Sequence, residues 1–367
     1  MKVVRNINDM YHLAYLRYVI WQRKKDSKLE LKKIQSASNT NPLSLQQKKE
    51  ISSFWNSFSK KEYFDINWFE VFNAVSHEEN LLQFYLPHDF FYCYVDTLFS
   101  NTQRASVFDD KNMYDIYFHD VKMPPTICRK MGGVYLDNNY NIISIDEVIT
   151  KCIDNGKLII KETINSCGGY GISFWDSEKS TVNDLKSVIM NKDNYIVQEI
   201  IKQHEEIAKL HKYSVNTIRI MTLLYNDEII PVSSVIRMGV DNSQVDNAKN
   251  GGLVCGLRNN GQLREVAYDI VNNPYLQHPQ GTLFPEVIIP SFDKCIEISC
   301  RLAGRFASVA KLISWDFAVD VDSNPVLIEA NFTYGGIGVH QKCNGPLFGD
   351  KTAEVIKYVF ANHPFLK

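Results

Sequence analysis

Hydrophobic residues in the first part of the chain recur with the spacing of one helix face. They include Tyr11, Leu13, Leu16, Val19 and Ile20, and this period of three to four residues predicts an amphipathic helix. The lysine-rich segment that continues to Lys33 is typical of a solvated helix face, with binding to a membrane surface as the alternative. A turn at 39–42 precedes a second helix start at Ser44. Residues 1–105 are therefore predicted to be mainly helical.

Short runs of β-branched and aromatic residues, separated by turns, replace this spacing from about residue 106. They predict strands at 156–161, 172–175, 195–201, 217–225, 228–236, 313–320 and 325–329. Helices are predicted between them at 181–191, 291–310 and 350–360. Asn226-Asp227 has the composition of a hairpin turn, which favours antiparallel pairing. The pattern predicts an α+β fold.

The composition is that of an ordinary globular protein. A chain of 367 residues with 45% hydrophobic and 22% charged content is long enough for two or three packed units. Its 40 Lys and Arg nearly balance 42 Asp and Glu, so no overall field attracts nucleic acid or an anionic membrane. Any binding site for an anion must therefore be local.

The cysteines and the apolar segments indicate a soluble cytoplasmic protein. The eight cysteines are spread along the chain without a C-x-x-C pair, which favours free thiols in a reducing cytosol over a zinc site or a disulfide framework. The N-terminus lacks the continuous apolar core of a signal peptide. The most apolar stretch, 81–99, contains Pro87, Asp89 and Asp96, so we expect no integral membrane segment.

Two predicted strands near the C-terminus carry candidate metal ligands. Asp316 lies in the first strand, Glu329 ends the second, and a Ser323-Asn324 turn could join them as a hairpin. Because side chains alternate along a strand, Glu329 and Asn331 share one face, and Asp316 can reach it from the neighbouring strand. These oxygens are suitable ligands for a Mg²⁺ ion whose remaining coordination positions are filled by phosphate oxygens and water. The alternative is a surface hairpin with ordinary acids.

A lysine and a glycine-rich segment form a candidate phosphate site. Lys161 ends a predicted strand, and the turn that follows contains Ser166, Gly168, Gly169 and Gly171 before another strand begins. Such a turn lets backbone N–H groups close over phosphate oxygens while the lysine supplies a point charge. The segment is not a Walker A loop, because no Gly-Lys-Ser/Thr leads into a helix. The alternative is a flexible hairpin turn.

The strand 195–201 is a candidate adenine site. Its backbone edge is expected to be free, so that this edge and Glu199 can pair with adenine, while Glu206 can accept from ribose hydroxyls. Taken alone, a glutamate of this kind is far more often simply solvated.

These elements, in this order, resemble the ATP-grasp superfamily, most closely its branch associated with sugar transfer and polysaccharide biosynthesis. The likeness runs from about residue 110 to residue 350. Its markers are Asp110-Lys111-Asn112, Pro124-Pro125-Thr126, Ile160-Lys161-Glu162, Val197-Gln-Glu-Ile200, Ser214-Val-Asn-Thr-Ile-Arg219, Gly251-Gly252, Trp315-Asp316 and Ile328-Glu-Ala-Asn331. The spacings from Glu199 to Glu206 and from Asp316 to Asn331 are similar to those of D-alanine:D-alanine ligase.

The resemblance implies a fold in which two α+β subdomains clamp ATP. Residues 1–105 would form a region that precedes them, 106–200 the small subdomain or lid with its lead-in, and 201–367 the large subdomain with the metal site. Lys111 and Lys161 would hold phosphates. Glu199, Ile200 and Ile201 would bind adenine, Glu206 the ribose, and Asp316, Glu329 and Asn331 one or two Mg²⁺ ions.

The activity that the resemblance implies is ATP-dependent ligation. A carboxylate would attack the γ-phosphate, and an amine would then attack the acyl phosphate. Arg219 or Arg237, with a backbone N–H near Gly335 or Gly336, would stabilise the tetrahedral intermediate. Ser314 departs from the ligase pattern, which has an arginine two residues before the first acid. The substrates would be small or sugar-linked carboxylates and amines. A kinase-like phosphotransferase and a nucleotide-binding protein without turnover are the alternatives.

Overall fold

The N-terminal region is helical in the computed structural model, which describes residues 7–37, 39–76, 79–164, 171–246 and 251–366. Its helices are α1 (Ile7–Ser36), α2 (Leu45–Asn56), α3 (Trp68–Asn73), α4 (His88–Phe90), α5 (Asp96–Phe99), α6 (Thr102–Ala105) and α7 (Tyr114–Tyr117). Short 3₁₀ turns at Glu79–Phe84 and Lys111–Met113 and a π-helical turn at Phe91–Val95 lie between them.

The predicted amphipathic helix is α1, although one of its predicted residues lies outside the buried face. Leu16, Val19 and Ile20 are buried as expected, whereas Tyr11 is 67% exposed because the first turns project beyond the rest of the fold. The prediction of a helix start at Ser44 is confirmed. Ser44 and Gln47 form a capping box, in which each side chain accepts from the other residue's backbone N–H.

A five-stranded antiparallel sheet forms the small unit of the fold. Its strands are β1 (Thr126–Met131), β2 (Val134–Asp137), β3 (Lys157–Glu162), β4 (Ile172–Asp176) and β5 (Tyr195–Glu199), in the order β2-β1-β5-β3-β4. Helices α8 (Ile145–Asn155) and α9 (Val182–Met190) cover one face and share a core with it. The other face carries Ile159, Lys161 and Phe174, which line a cavity.

A seven-stranded antiparallel sheet forms the large unit. Its strands are β6 (Thr217–Tyr225), β7 (Glu228–Met238), β8 (Leu253–Leu257), β9 (Leu263–Tyr268), β10 (Pro274–Tyr275), β11 (Leu312–Val319) and β12 (Pro325–Asn331). They follow the order β10-β9-β8-β7-β6-β11-β12. The remaining helices are α10 (Glu205–Ala208), α11 (Phe292–Arg305), α12 (Ile337–Asn344) and α13 (Thr352–Asn362). The predicted α+β class is confirmed.

The two faces of the large sheet have different chemistry because side chains alternate along each strand. One face packs Ile220, Trp315 and Phe317 against α11 in a hydrophobic core. The opposite face carries Arg219, Asp316 and other polar side chains toward the cavity. Over the end of this second face, the N-terminal helices share a core with α13, so the helical region packs directly on the large sheet.

The hairpins predicted from the turn residues are present. Asn226 and Asp227 have φ values of 49° and 62°, which is the left-handed geometry of a tight turn between twisted strands, and they join β6 to β7. Ser323, with φ of 61°, lies in the turn that joins β11 to β12. This second hairpin brings the candidate metal ligands onto neighbouring strands.

The free backbone edge predicted for the strand 195–201 is wrong. β5 lies between β1 and β3 and is paired with both of them over Tyr195–Glu199. Its apolar sequence reflects this central position, in which the backbone on both sides is already used. The strand pairing ends at Glu199, and Ile200 and Ile201 follow beyond the sheet.

The seven described cysteines are free thiols, and all except Cys300 are buried. Among the described residues, no helix combines the length and the apolar character needed to span a bilayer.

Candidate active site

A cavity of about 1190 Å³ lies between the two sheets and the N-terminal helices. The small sheet contributes Ile159, Lys161 and Phe174 to its lining, and the polar face of the large sheet contributes Arg219, Arg237, Glu329 and Asn331. Residues of α1, α3 and α12 close the opposite end. Most of the predicted site residues that the structure describes therefore meet around one space.

A row of charged residues crosses three strands of the large sheet. Arg219 on β6 is directly opposite Asp316 on β11, and Asp316 is directly opposite Glu329 on β12. Residues opposite one another in an antiparallel pair project to the same face. The sequence alternation predicted that Asp316 and Glu329 share a face, and the register confirms it.

Asp316 is bound by two arginines. Its Oδ1 accepts from Arg219 Nε at 2.7 Å, and its Oδ2 accepts from Arg219 Nη2 at 2.7 Å and Arg237 Nη2 at 3.1 Å. Asp316 is fully buried. Burial alone raises the pKa of this carboxyl, but the charges of Arg219 and Arg237 outweigh it and hold the pKa below its usual value.

This pairing changes the role that Asp316 can have. A Mg²⁺ ion at Asp316 would have to compete with two guanidinium groups. Asp316 does not line the cavity, whereas both arginines do. In this arrangement, Asp316 fixes the positions of the arginines that face the cavity.

Glu329 and Asn331 offer oxygens that fit a hard cation. They lie two residues apart on β12, so they share the face that lines the cavity. Glu329 Oε1 is 2.9 Å from Lys111 Nζ. Asn331 donates through Nδ2 to the Ser314 carbonyl at 3.4 Å, which leaves its amide oxygen for a ligand. Mg²⁺ commonly binds one or two protein oxygens and keeps phosphate and water as its other ligands.

The possible metal ligands are therefore the carboxylate of Glu329 and the amide oxygen of Asn331. Asp316 could join them only if its two arginines moved away. Across the described part of the chain, no group of three or more His, Cys, Asp or Glu side chains forms a metal cluster.

Lys161 faces the same space from the small sheet. Its Nζ donates to Gln198 Oε1 at 3.2 Å. Burial lowers the pKa of the Lys161 ammonium to about 8, and the charge of Lys111 acts in the same direction. Two cations thus approach the cavity from different elements, so a bound polyanion would relieve their repulsion.

The candidate adenine residues reach the cavity, but the candidate ribose residue does not. Glu199, Ile200 and Ile201 line the cavity where β5 ends. Glu206 lies in α10, outside the cavity lining, and pairs with Lys209 one turn later. Its role at the ribose stays a prediction that needs movement of its side chain.

The glycines near the arginines are packed closely. Gly336 lines the cavity, and a Cβ atom there would lie 3.0 Å from Arg219 Nη1. The Gly335 carbonyl accepts from the Ser314 hydroxyl at 2.9 Å. The Ser314 hydroxyl thus helps to position the loop that carries both glycines.

The predicted phosphate loop is largely outside the described residues, which exclude Ser166, Gly168 and Gly169. Gly171, at its end, has φ of 74°. The Gly171 carbonyl accepts from Lys192 Nζ at 2.9 Å, and Lys192 also pairs with Glu162.

Three polar residues of the site were not singled out from the sequence. Gln198 binds Lys161, Asp246 is 3.3 Å from Arg237 Nε, and Asp109 lines the cavity beside Lys111. Burial raises the pKa of Asp109. Gln198 and Asp109 adjoin the markers at Glu199 and Asp110, so they could have been found. Asp246 lies in a segment without a motif.

Comparison with protein families gives one match. The family model described as sugar-transfer associated ATP-grasp matches residues 94–356, which is more than half of the chain. Comparison with curated protein sequences gives no match.

Several solved structures are similar to this chain at low identity. D-alanyl-alanine synthetase A from Vibrio cholerae has 12% identity and a TM-score of 0.41 over 69% of this chain and 62% of that one. A biotin carboxylase complex from Campylobacter jejuni has 12% identity and a TM-score of 0.42 over 68% and 46%. An L-amino acid ligase from Bacillus licheniformis has 12% identity and a TM-score of 0.39 over 68% and 47%. The chain spans less than two thirds of the first enzyme's length.

Replacing Asp316 tests its role as the anchor of the arginines. Asp316→Asn removes the acid paired with Arg219 and one of the two acids paired with Arg237, and we expect the free energy of unfolding to fall by about 3–5 kcal/mol. Glu329→Gln removes a carboxylate that faces the cavity, and it should cost only about 1 kcal/mol. Urea denaturation of both variants measures the difference. Equal losses would contradict the assignment.

Proposed function

We propose that this chain, which belongs to the sugar-transfer associated ATP-grasp family, is an ADP-forming ligase. It activates a carboxylate as an acyl phosphate and couples that group to an amine, in the biosynthesis of a polysaccharide or another cell-surface glycan. The observation that carries the proposal is the meeting of two lysines, an oxygen ligand pair and two arginines around one cavity. We infer a cytoplasmic location, which agrees with the free thiols of the described cysteines.

The nucleotide half of the cavity is defined here by Ile159, Lys161, Phe174, Glu199 and Ile200. Apolar side chains from the small sheet form its walls, as expected for a site that encloses a base. The backbone after Glu199 leaves the sheet at this point and can pair with adenine. Lys161 and Lys111 then lie on the path of the phosphates.

MgATP supplies the phosphoryl group when it is bound, and the metal neutralises phosphate charge. Glu329 and Asn331 would hold the ion through their oxygens. Lys111, in contact with Glu329, would hold a phosphate oxygen beside it. These residues align the phosphates and reduce their repulsion toward an incoming carboxylate, which is most of the work in phosphoryl transfer.

The proposed ligation has two steps, phosphoryl transfer and then acyl transfer. A carboxylate oxygen of the first substrate bonds to the γ-phosphorus, and ADP leaves. The amine nitrogen of the second substrate then bonds to the carbonyl carbon, inorganic phosphate leaves, and the amine loses a proton. Arg219 and Arg237 face the cavity beside Gly336, where their fixed positive charge can stabilise the oxyanion of the second step.

ADP release distinguishes this activity from the alternatives. Uronic-acid sugars and amino acids, mixed pairwise with MgATP, should support sustained ADP release only when carboxylate and amine are both present. A phosphotransferase would need a single acceptor. Release with one substrate alone, or none with any pair, would contradict the ligase assignment.

Removal of the Glu329 carboxylate tests the metal site within this activity. Glu329→Gln should lower turnover at least about a hundredfold, because a lost metal contact removes several kcal/mol of transition-state stabilisation. The melting temperature should stay close to that of the wild type. Glu265→Gln is the matched control, since it breaks an exposed ion pair with Arg258 away from the cavity. Near-wild-type turnover of Glu329→Gln would refute the assignment.

The pKa of Lys161 predicts a pH dependence of nucleotide binding. With a pKa of about 8 in the free protein, Lys161 is charged below pH 8 and becomes neutral above it. Phosphate favours the charged form, so binding of MgADP should take up a proton near pH 8, and affinity should fall about ten- to a hundredfold at higher pH.

Calorimetry in two buffers that differ in ionisation heat measures this proton uptake. Lys161→Met should bind MgADP more weakly at pH 7, and its affinity should no longer depend on pH. Lys161→Arg should keep its affinity for MgADP above pH 8. Proton uptake that persists in Lys161→Met would assign the titration to another group.

A further inference from the structure

The cavity has more room than one nucleotide needs. Its volume of about 1190 Å³ exceeds the roughly 300–1,000 Å³ of pockets for a single small ligand. Its second half, which we call the acceptor half, is lined by Glu30 of α1, Val75, Asn272, and Val339 and Lys342 of α12. None of these residues belongs to the small sheet that lines the nucleotide half. A second ligand therefore has space beside the nucleotide.

Lys342 brings a positive charge into the acceptor half without an acid in contact. Its Nζ donates to the carbonyls of Asp269 at 3.0 Å and Ile270 at 3.5 Å. Its side chain forms no ion pair with any acid in the ranges that the structure describes. The Asp269 carboxylate instead accepts from the backbone N–H groups of Val271 and Asn273. Such a cation in a largely apolar wall is stabilised when an anion binds.

Asn272 supplies a second donor in the same turn. It is 6% exposed, it lines the cavity, and its side-chain Nδ2 has no hydrogen-bond partner among the described residues. Its backbone N–H donates to the Asp269 carbonyl, the same oxygen that accepts from Lys342. The turn is fixed from the N-terminal region, because Asn39 Nδ2 donates to Asn273 Oδ1 at 3.1 Å. Buried amides without a partner are rare in folded proteins, so a side-chain rotation that brings this enclosed Nδ2 to a ligand group in the cavity would satisfy it.

The number and charge of the two donors suit a carboxylate better than a phosphate. One ammonium and one amide suffice for two carboxylate oxygens, whereas a phosphate dianion calls for further charge. Of the other described cations that line this half, Arg23 is paired with Asp96 at 2.6 Å, and Lys33 is exposed at the rim. Glu30 also lines this half and acts on Lys342 through its charge, but its carboxylate is paired with His88 at 3.1 Å.

We propose that Lys342 and Asn272 form a subsite for a carboxylate that does not react and that belongs to the amine substrate. The amine substrate is therefore an amino acid, held by its carboxylate at the turn 269–273 while its amine points along the cavity toward Arg219. This inference rests on the proposed ligase function for the role of the amine, but the binding of the amino acid can be measured without turnover.

Calorimetry with the full-length protein and MgADP tests the subsite directly. The probes are the protein amino acids, D-alanine and β-alanine, and the C-terminal amide of each one that binds. At least one amino acid should bind, and its amide should bind about ten- to a hundredfold more weakly, since the amide lacks the charge that Lys342 pairs with. Lys342→Met should reduce the preference for the amino acid over its amide to less than about threefold, while the affinity for MgADP is unchanged.

A second variant keeps the test valid if Lys342→Met is poorly folded. Asn272→Asp has the same shape and tolerates the left-handed φ of 69° at this position. Its negative charge should weaken amino acid binding at least tenfold, because it repels the carboxylate. Lys357→Met, on the exposed face of α13, is the control and should behave as the wild type.

The subsite is refuted if no probe binds, if the amide binds as well as the acid, or if both variants keep the wild-type preference. Failure of the proposed function has a different signature. If the protein binds amino acids with the expected preference for the free carboxylate but releases no ADP with any carboxylate substrate, the subsite is supported and the ligase assignment is refuted.

Discussion

The buried carboxylate of Asp316 and its two arginines form the interaction on which the site depends. A carboxylate without access to water is tolerated only when its charge is neutralised, and here Arg219 and Arg237 neutralise it from two neighbouring positions on the sheet. The pairing fixes the guanidinium groups at the surface of the sheet, facing the cavity. Preorganised charge of this kind needs no rearrangement when negative charge develops on a substrate.

A second buried ion pair connects the helical region to the same place. Arg23 of α1 pairs with Asp96, and its guanidinium lies 4.3 Å from the centre of the Tyr334 ring. Tyr334 lies in the loop between β12 and α12 that also contains Gly336, which lies against Arg219. The polar residues Arg23 and Ser27 interrupt the apolar stripe of α1 where this helix borders the cavity. The N-terminal region is thus part of the wall of the site, and the buried Arg23 at this border is explained by its pairing with Asp96.

The sequence predicted those parts of the site that depend on local patterns. Alternation along two strands and a turn at Ser323 were enough to bring Asp316 and Glu329 onto one face, because both strands belong to one hairpin. The arginine partners of Asp316 were not predicted as partners, since the pairing of β6 with β11 joins residues 97 positions apart and leaves no local signal. The free edge at 195–201 was predicted wrongly for the same reason, because the neighbours of a strand are set elsewhere in the chain. Lys342 and Asn272 are single residues on separate elements, and only the fold brings them to one carbonyl.

A crystal structure of the protein with Mg²⁺ and a non-hydrolysable ATP analogue tests the central claim most directly. The account predicts a nucleotide between the two sheets, Mg²⁺ on the oxygens of Glu329 and Asn331, and Asp316 still bound by Arg219 and Arg237. Lys161 and Lys111 should contact phosphate oxygens. A nucleotide bound outside this cavity, or Mg²⁺ held by Asp316 with both arginines displaced, would contradict the account.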